Sequence, residues 1–387
     1  MTIIEDLTPP PFITYAIPFF FLLMGVELLV GKVKNKTYYS MSDSIADLST
    51  GILSQLSGIF LKALSLLGYL YIYNHYKWIE IPFGSLAGWI AAIVLWDFCY
   101  YWLHRLSHEV NILWAGHVIH HHSEEYNLIV ALRQTSLGGI LSWIFFIPMA
   151  FLGFHPWVFL AAGQLNLIYQ YWVHTKSIKT IGTVGEFLLS TPSHHRVHHA
   201  INPQYIDRNH GGIFIIWDRL FGTFEKEVEE PVYGTVKPLQ SFNPIWANYH
   251  YYWEIVKMAY SAEGLLNKLK VFFKPPGWYP STREKPEGYL PIPKVSEETF
   301  IKYNPEISTG KKVYVITWFV FVLLISFGYL LFHVKLEIQS KILISLWIAL
   351  SLLSLNAILE SKKWSKWLDV VRLVSTPIVG ILIYLKL

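Results

Sequence analysis

The chain has 387 residues and a formal net charge of +4; 53% of it is hydrophobic, 17% aromatic and only 15% charged, with a mean hydropathy of +0.36. So apolar a balance excludes a disordered chain, and the small, dispersed positive charge argues against a nucleic-acid binder, leaving a protein seated in a lipid bilayer. The single cysteine, Cys99, excludes an internal disulfide framework and a thiolate metal site.

Eight apolar runs approach the ~20 residues a spanning helix needs. They lie at about 12–30, 45–73, 83–103, 136–154, 157–173, 313–334, 342–359 and 368–385. The leader before the first run holds Glu5 and Asp6 and no positive charge, so the run reads as a span and not as a secretory signal, whose start is basic. Lys32, Lys34 and Lys36 follow it, and the positive-inside rule makes that loop cytoplasmic and the N-terminus external. The second run contains Asp47, Lys62 and several glycines, and reads either as two half-spans or as one strongly tilted helix. Between the fourth and fifth runs stands little more than His155-Pro156, a tight turn between antiparallel helices. Counting forward puts 104–135, 174–312 and the lysines Lys362, Lys363 and Lys366 on the cytoplasmic side.

The third run continues into the first of three histidine clusters. Asp97, Tyr101, His104 and His108 follow offsets of four, three and four, a helical stripe that leaves the bilayer carrying two imidazoles. Asp97 lies inside the apolar run, where an ionisable group is costly and functional by default. It is expected to accept a hydrogen bond from a ligand imidazole and fix its tautomer, the alternative being a pairing with a neighbouring span. Glu109, next to His108, is a candidate for supporting or proton-handling work.

The second cluster is His117-x-x-His120-His121 and the third is His195-x-x-His198-His199. One H-x-x-H-H match is expected by chance roughly 0.03 times in a chain of this length and histidine content, so two of them with an H-x-x-x-H are a designed set. Offsets of three and four let each cluster aim two or three imidazoles at one point, and neutral imidazole is the commonest protein ligand for intermediate transition metals. A structural zinc takes four ligands; eight imidazoles suit two ions that keep open positions. His174, ending the fifth run on the same side, is a candidate ninth ligand. His122 and His194 read as neighbours of ligands, and His75, His155, His250 and His333 as structural.

The stretch 225–312 is more polar and rich in aromatics that favour the membrane–water boundary, among them Trp246, Tyr249, Trp253 and Trp278. It reads as a cytoplasmic cap, followed by a proline-rich connection from Pro275 to Pro293. The last three runs carry no histidine pair or acidic cluster and read as scaffold or a lipid access route. No phosphate loop, dinucleotide fingerprint, H-E-x-x-H or His-Pro-Gly-Gly haem motif occurs.

Several stretches resemble the fatty acid hydroxylase and sterol desaturase superfamily of integral membrane di-iron oxygenases. They are His104-Arg105-Leu106-Ser107-His108-Glu109, His120-His121 leading to Glu125-Tyr126-Asn127, Ala131-Leu132-Arg133-Gln134 and Trp172-Val173-His174-Thr175. The narrower stretches Thr191–His199 and Trp217–Phe224 are most similar to its ether-lipid branch. His122 and His210 depart from that pattern, where a small polar residue and a tyrosine are expected.

The resemblance implies an all-α integral membrane protein, a multi-span helical bundle with a cytoplasmic histidine-rich di-metal catalytic cap. Its divisions would be spans over 1–94, a catalytic region over 95–230, an interfacial cap and linker over 231–312 and spans over 313–387. Two iron ions would sit on His104, His108, His117, His120, His121, His174, His195, His198 and His199, with Glu109 and Asp97 assisting. O2 would hydroxylate a membrane lipid, in this branch the alkyl carbon beside the ether oxygen of an alkylglycerol, with tetrahydrobiopterin or a separate redox protein as electron donor. The alternatives are a sterol, carotenoid or fatty-acyl hydroxylase or desaturase on the same scaffold and, outside enzymes, a metal transporter or sensor.

Overall fold

The computed structural model describes residues 11–282 and 285–386; the acidic leader lies outside them. Helix α1 (Phe12–Val33) leads through a short loop to α2 (Met41–Tyr76). The run at 45–73 is thus one continuous helix of 36 residues, about 54 Å long at 1.5 Å per residue, and not two half-spans. Helix α3 (Leu86–Glu109) starts where the Ser85 hydroxyl accepts from the Gly88 N–H and is followed by the short α4 (Asn111–Ala115).

The apolar run at 136–154 is not a single span. It breaks into α5 (Gly139–Ser142), a 3₁₀ turn over Trp143–Phe146 and α6 (Ile147–Phe151), with Pro148 in the first turn of α6. After Gly153 the chain turns into α7 (Pro156–Val173), whose first turn is capped by His155 Nδ1 accepting from Trp157 N at 3.2 Å. Gly153 has φ +81°, and a Cβ there would come within 1.9 Å of the Ile79 carbonyl, so only glycine fits this approach. The turn lies against the α2–α3 connection, with Trp78 N donating to Phe151 O at 2.7 Å. The broken segment and α7 therefore form a hairpin that runs back to the end of α3 opposite its histidines.

Three short helices follow: α8 (Thr183–Leu188), α9 (Pro192–His198), which carries His195 and His198, and α10 (Ile216–Phe221). Helices α11 (Pro244–Ser261) and α12 (Gly264–Phe273) pack on each other and on α4, and a two-residue hairpin pairs Trp278 with Tyr289. The chain ends in α13 (Thr309–Phe332), α14 (Ile338–Leu359) and α15 (Ser365–Lys386).

Among the described residues five helices are long and apolar enough to cross a membrane: α1, the Met41–Leu61 part of α2, α3, α13 with the turn after it, and α14. Helix α7, read from the sequence as a span, falls short because of its polar positions Gln164, Asn166 and Gln170. Two apolar cores hold the bundle. One joins α2, α13 and α14 around Leu56, Val322, Ile348 and Leu352; the other joins α2, α3 and the hairpin around Tyr69, Trp96, Phe146 and Met149.

Candidate metal centre

Nine histidines converge at the C-terminal end of α3 in two groups. His104, His108, His117, His121 and His198 form the first and His120, His174, His195 and His199 the second, and within each group one ligand nitrogen per residue lies within 4.8 Å of all the others. The sequence clusters do not map one to one onto these groups. His104 and His108 share the first, but each H-x-x-H-H divides: its i, i+4 pair enters one group and the middle histidine the other. His117 and His121 join the first group while His120 joins the second; His195 and His199 join the second while His198 joins the first. The groups are side by side, with the His121 and His199 rings stacked at 4.4 Å.

Backbone carbonyls orient the rings. His104 Nδ1 donates to His210 O at 2.8 Å, His120 Nδ1 to Arg133 O at 2.9 Å, His174 Nδ1 to Gln170 O at 2.8 Å and His198 Nδ1 to Arg208 O at 2.9 Å. A carbonyl only accepts, so each Nδ1 carries the proton and each Nε2 presents a bare lone pair. Yet His120 Nε2 faces His174 Nε2 at 3.3 Å, and no proton is left to join them. His108 Nε2 and His198 Nε2 are buried with no hydrogen-bond partner. Converging lone pairs need a cation. The spacings agree, since His104 to His117 and His195 to His174 are each 3.0 Å between Nε2 atoms, the separation of adjacent nitrogens around an ion bonded at about 2.1 Å.

Burial keeps the imidazoles in the form a metal needs. It drives His117, His121, His174, His195, His198 and His199 well below the ordinary value and His120 to about 4, and for most of them the neighbouring imidazoles add to the effect. The donor set has no sulfur, and five and four nitrogens leave room for further ligands on six-coordinate ions. The residues fit two intermediate transition-metal ions with open positions.

The holding structure was largely hidden in the sequence. The loop 207–210 supplies three of the contacts: the carbonyls of Arg208 and His210, and Asp207 Oδ1, which lies 3.4 Å from His108 Nδ1. Asp207 and Asn209 have φ of 56° and 57°, and Asn209 bonds to His194 O and Glu225 O. Buried Asp218 accepts from the N–H groups of His210 and Gly211, each at 2.7 Å. The only sequence signal is the run Asp207-Arg208-Asn209-His210-Gly211-Gly212, rich in residues that tolerate left-handed turns.

Asp97 touches no imidazole; of the two expectations, pairing with a neighbouring apolar run is the one met, through Asn166 of α7. Its carboxylate accepts from Ile213 N, Phe214 N, Trp217 Nε1 and Asn166 Nδ2 at 2.6–3.0 Å, so it fixes the strand of chain that follows the loop. Glu109 bonds to Arg105 Nε at 2.9 Å. His122 packs against His250 with rings 4.8 Å apart, and His194 caps α9 and meets Glu186 at 3.1 Å; neither enters a group. His210, buried beside the first group, spends its ring Nε2 on Asp207 O at 3.1 Å.

Membrane-capable helices and sulfur-free histidine groups define a membrane protein with a candidate two-metal centre. The fatty acid hydroxylase family matches residues 89–223, which contain both groups. Alkylglycerol monooxygenase of Homo sapiens is 42% identical over 317 residues, 81% of this chain and 70% of that protein. The Danio rerio alkylglycerol monooxygenase is 38% identical over 367 residues, 94% of this chain and 81% of that one. A Delta(7)-sterol 5(6)-desaturase of Aspergillus fumigatus is 28% identical over 195 residues, 47% of this chain and 49% of its own. No solved structure matches. The chain belongs to the fatty acid hydroxylase family, within its alkylglycerol monooxygenase branch, and is a membrane lipid monooxygenase.

Proposed function

We propose that the chain holds two iron ions in its two histidine groups, on the cytoplasmic face, and hydroxylates an alkylglycerol at the alkyl carbon beside the ether oxygen. The observation that carries this reading is the pair of lone-pair-converging histidine groups in a chain aligned over most of its length with alkylglycerol monooxygenases. The ions, when bound, supply the reduction of O2 to an oxidant able to attack an unactivated C–H bond.

The chain's own residues do the rest. The carbonyls of His210, Arg133, Gln170 and Arg208 hold four of the imidazoles in the tautomer that binds metal. Burial of eight of the nine rings, all but the half-buried His117, keeps water from the centre. Asp97 positions the turn after the 207–210 loop, and Glu109, half-exposed at the end of α3, passes protons between solvent and the site. One oxygen atom of O2 replaces C–H by C–OH; the other leaves as water, with two electrons and two protons from the donor, for which tetrahydrobiopterin is our choice. The product is a hemiacetal, which collapses to a fatty aldehyde and a glycerol derivative.

Iron-replete full-length protein should contain close to two iron equivalents. His120→Ala and His198→Ala, one in each group, should each remove about one equivalent and abolish turnover. Given O2, tetrahydrobiopterin and an alkylglycerol, the parent should release an aldehyde of the same chain length, and an ester-linked glycerolipid should yield none. If a sterol or free acyl chain were hydroxylated with a ferredoxin-type donor and no aldehyde formed, the ether-lipid reading would be wrong and the sterol or acyl alternative would replace it.

A further inference from the structure

A cavity of about 350 Å³, large enough for a small ligand, lies beside the first histidine group, with His104 and His117 on its wall. Its two ends differ. Toward the membrane-embedded part of α3 the walls are Tyr100, Leu103 and Ile140, and Ile140 is 40% exposed, so the cavity reaches the lipid-facing surface there. At the other end Leu113 and Gly116 meet Tyr252 of the cap helix α11.

Three of the wall hydroxyls are spent on the protein itself. Tyr100 donates to Gln170 Oε1 at 2.9 Å, Ser107 donates to Leu103 O at 2.7 Å, and Thr135 Oγ1 accepts from Leu137 N and Gly138 N. Tyr252 is different: among the described residues its hydroxyl has no hydrogen-bond partner. A Cβ on Gly116 would stand 3.2 Å from that oxygen and 3.5 Å from Gly138 Cα, so glycine at 116 keeps the space before the hydroxyl open. Residue 117, next in the chain, is a histidine of the first group.

We infer that Tyr252 recognises the polar head of the substrate, its hydroxyl donating to a glycerol oxygen while the alkyl tail runs past Leu103 and Ile140 toward the bilayer. The inference rests on the ether-lipid reading above. An alkyl chain in an apolar channel can slide and present any CH2 to the oxidant. A hydrogen bond at the head end fixes its register, and the carbon that then lies beside His104 and His117 is the one joined to the ether oxygen. Tyr252 is on this account the specificity-determining residue for the position of attack.

Tyr252→Phe removes the hydroxyl and little else. Binding of radiolabelled 1-O-hexadecylglycerol and of hexadecyl methyl ether, which lacks the glycerol hydroxyls, is measured on metal-free full-length protein in nanodiscs. Turnover of both is then measured on the iron-loaded protein. The variant should bind the alkylglycerol about fivefold more weakly, the worth of one neutral hydrogen bond, and the methyl ether unchanged. In turnover its KM for the alkylglycerol should rise and some product should come from carbons further along the chain. Gly116→Ala, which crowds the hydroxyl, should act in the same direction. Equal binding of the alkylglycerol by parent and Tyr252→Phe, or an equal loss for both ligands, would overturn the inference. A parent that binds the alkylglycerol Tyr252-dependently but never oxidises it would overturn the proposed reaction and leave this binding role standing.

Discussion

Asp47 and Arg133 show how a single pair can hold a histidine group together. Both are almost fully buried, their charged atoms 2.7 Å apart, and Arg133 also donates through Nε to Ile119 O at 2.6 Å while its own carbonyl receives His120 Nδ1. The pair ties α2, the second histidine cluster and the following loop at one point. Asp47→Asn would leave a buried guanidinium without its counter-charge, at a cost of about 3–5 kcal/mol. The expected result is a lower unfolding temperature together with loss of iron from the second group first, read by calorimetry and metal analysis. Asp207→Ala should act on the other group: without the carboxylate beside His108, metal affinity there should fall about 10–100-fold with the spans intact. Iron titration that found the first group unaffected would deny Asp207 that role. The histidines themselves were legible because their spacing is short-range. Their supports were not, because His104 is oriented by a carbonyl at residue 210 and His120 by one at residue 133, and a backbone acceptor leaves no mark on residue type.

At the level of elements, a single buried acid does not stop a run from being membrane-capable, since α1, α2 and α3 carry Glu27, Asp47 and Asp97. The run at 157–173 forms α7, but Asn166 and Gln170 face inward to build the Asp97 network, which lowers its hydropathy below that of a lipid-facing span. Helix α12 presents the reverse case, a short element the sequence left inside a general cap. Leu265, Leu266, Leu269 and Phe273 are 50–73% exposed on one side of it, beside Trp253, Val256 and Tyr260 of α11. An amphipathic helix with lysines on its flanks (Lys268, Lys270 and Lys274) suits the headgroup layer of a membrane. Because the only native cysteine, Cys99, is buried, a spin label on Leu266→Cys reports that residue alone. In bilayers its collision rate with O2 should exceed that with a water-soluble nickel reagent, whereas a label on Glu298→Cys, in the exposed connection, should show the opposite. A water-dominated signal at 266 would place α12 away from the lipid.

Across the whole molecule, one end gathers every chemically active part. Asn127 Nδ2 bonds to Tyr38 O at 2.8 Å, bringing the α1–α2 loop to the histidine loops. Tyr303 N donates to Glu124 at 2.5 Å and Lys302 pairs with Glu125 at 2.7 Å, bringing in the connection before α13. Lys311 Nζ reaches Ser361 Oγ at 3.5 Å, and Phe242 N donates to Glu360, which adds the end of α14. At the opposite end lie the α2–α3 connection and the turn of the α6–α7 hairpin. The hairpin returns the chain to the side it left, so as far as the end of α14 the five candidate crossings among the described residues give the same sidedness that the first seven apolar runs gave. The geometry fixes which loops share a side; the lysines at 32, 34, 36, 362, 363 and 366 choose which side that is. Reporter fusions after residues 37, 230 and 364 should therefore agree with one another and report cytoplasm, and one after residue 80 should report the outer side. If 37 and 230 fell on opposite sides, the fold described here would be wrong. If both reported the outer side and 80 the inner, the fold would stand and the charge argument for a cytoplasmic site would fail.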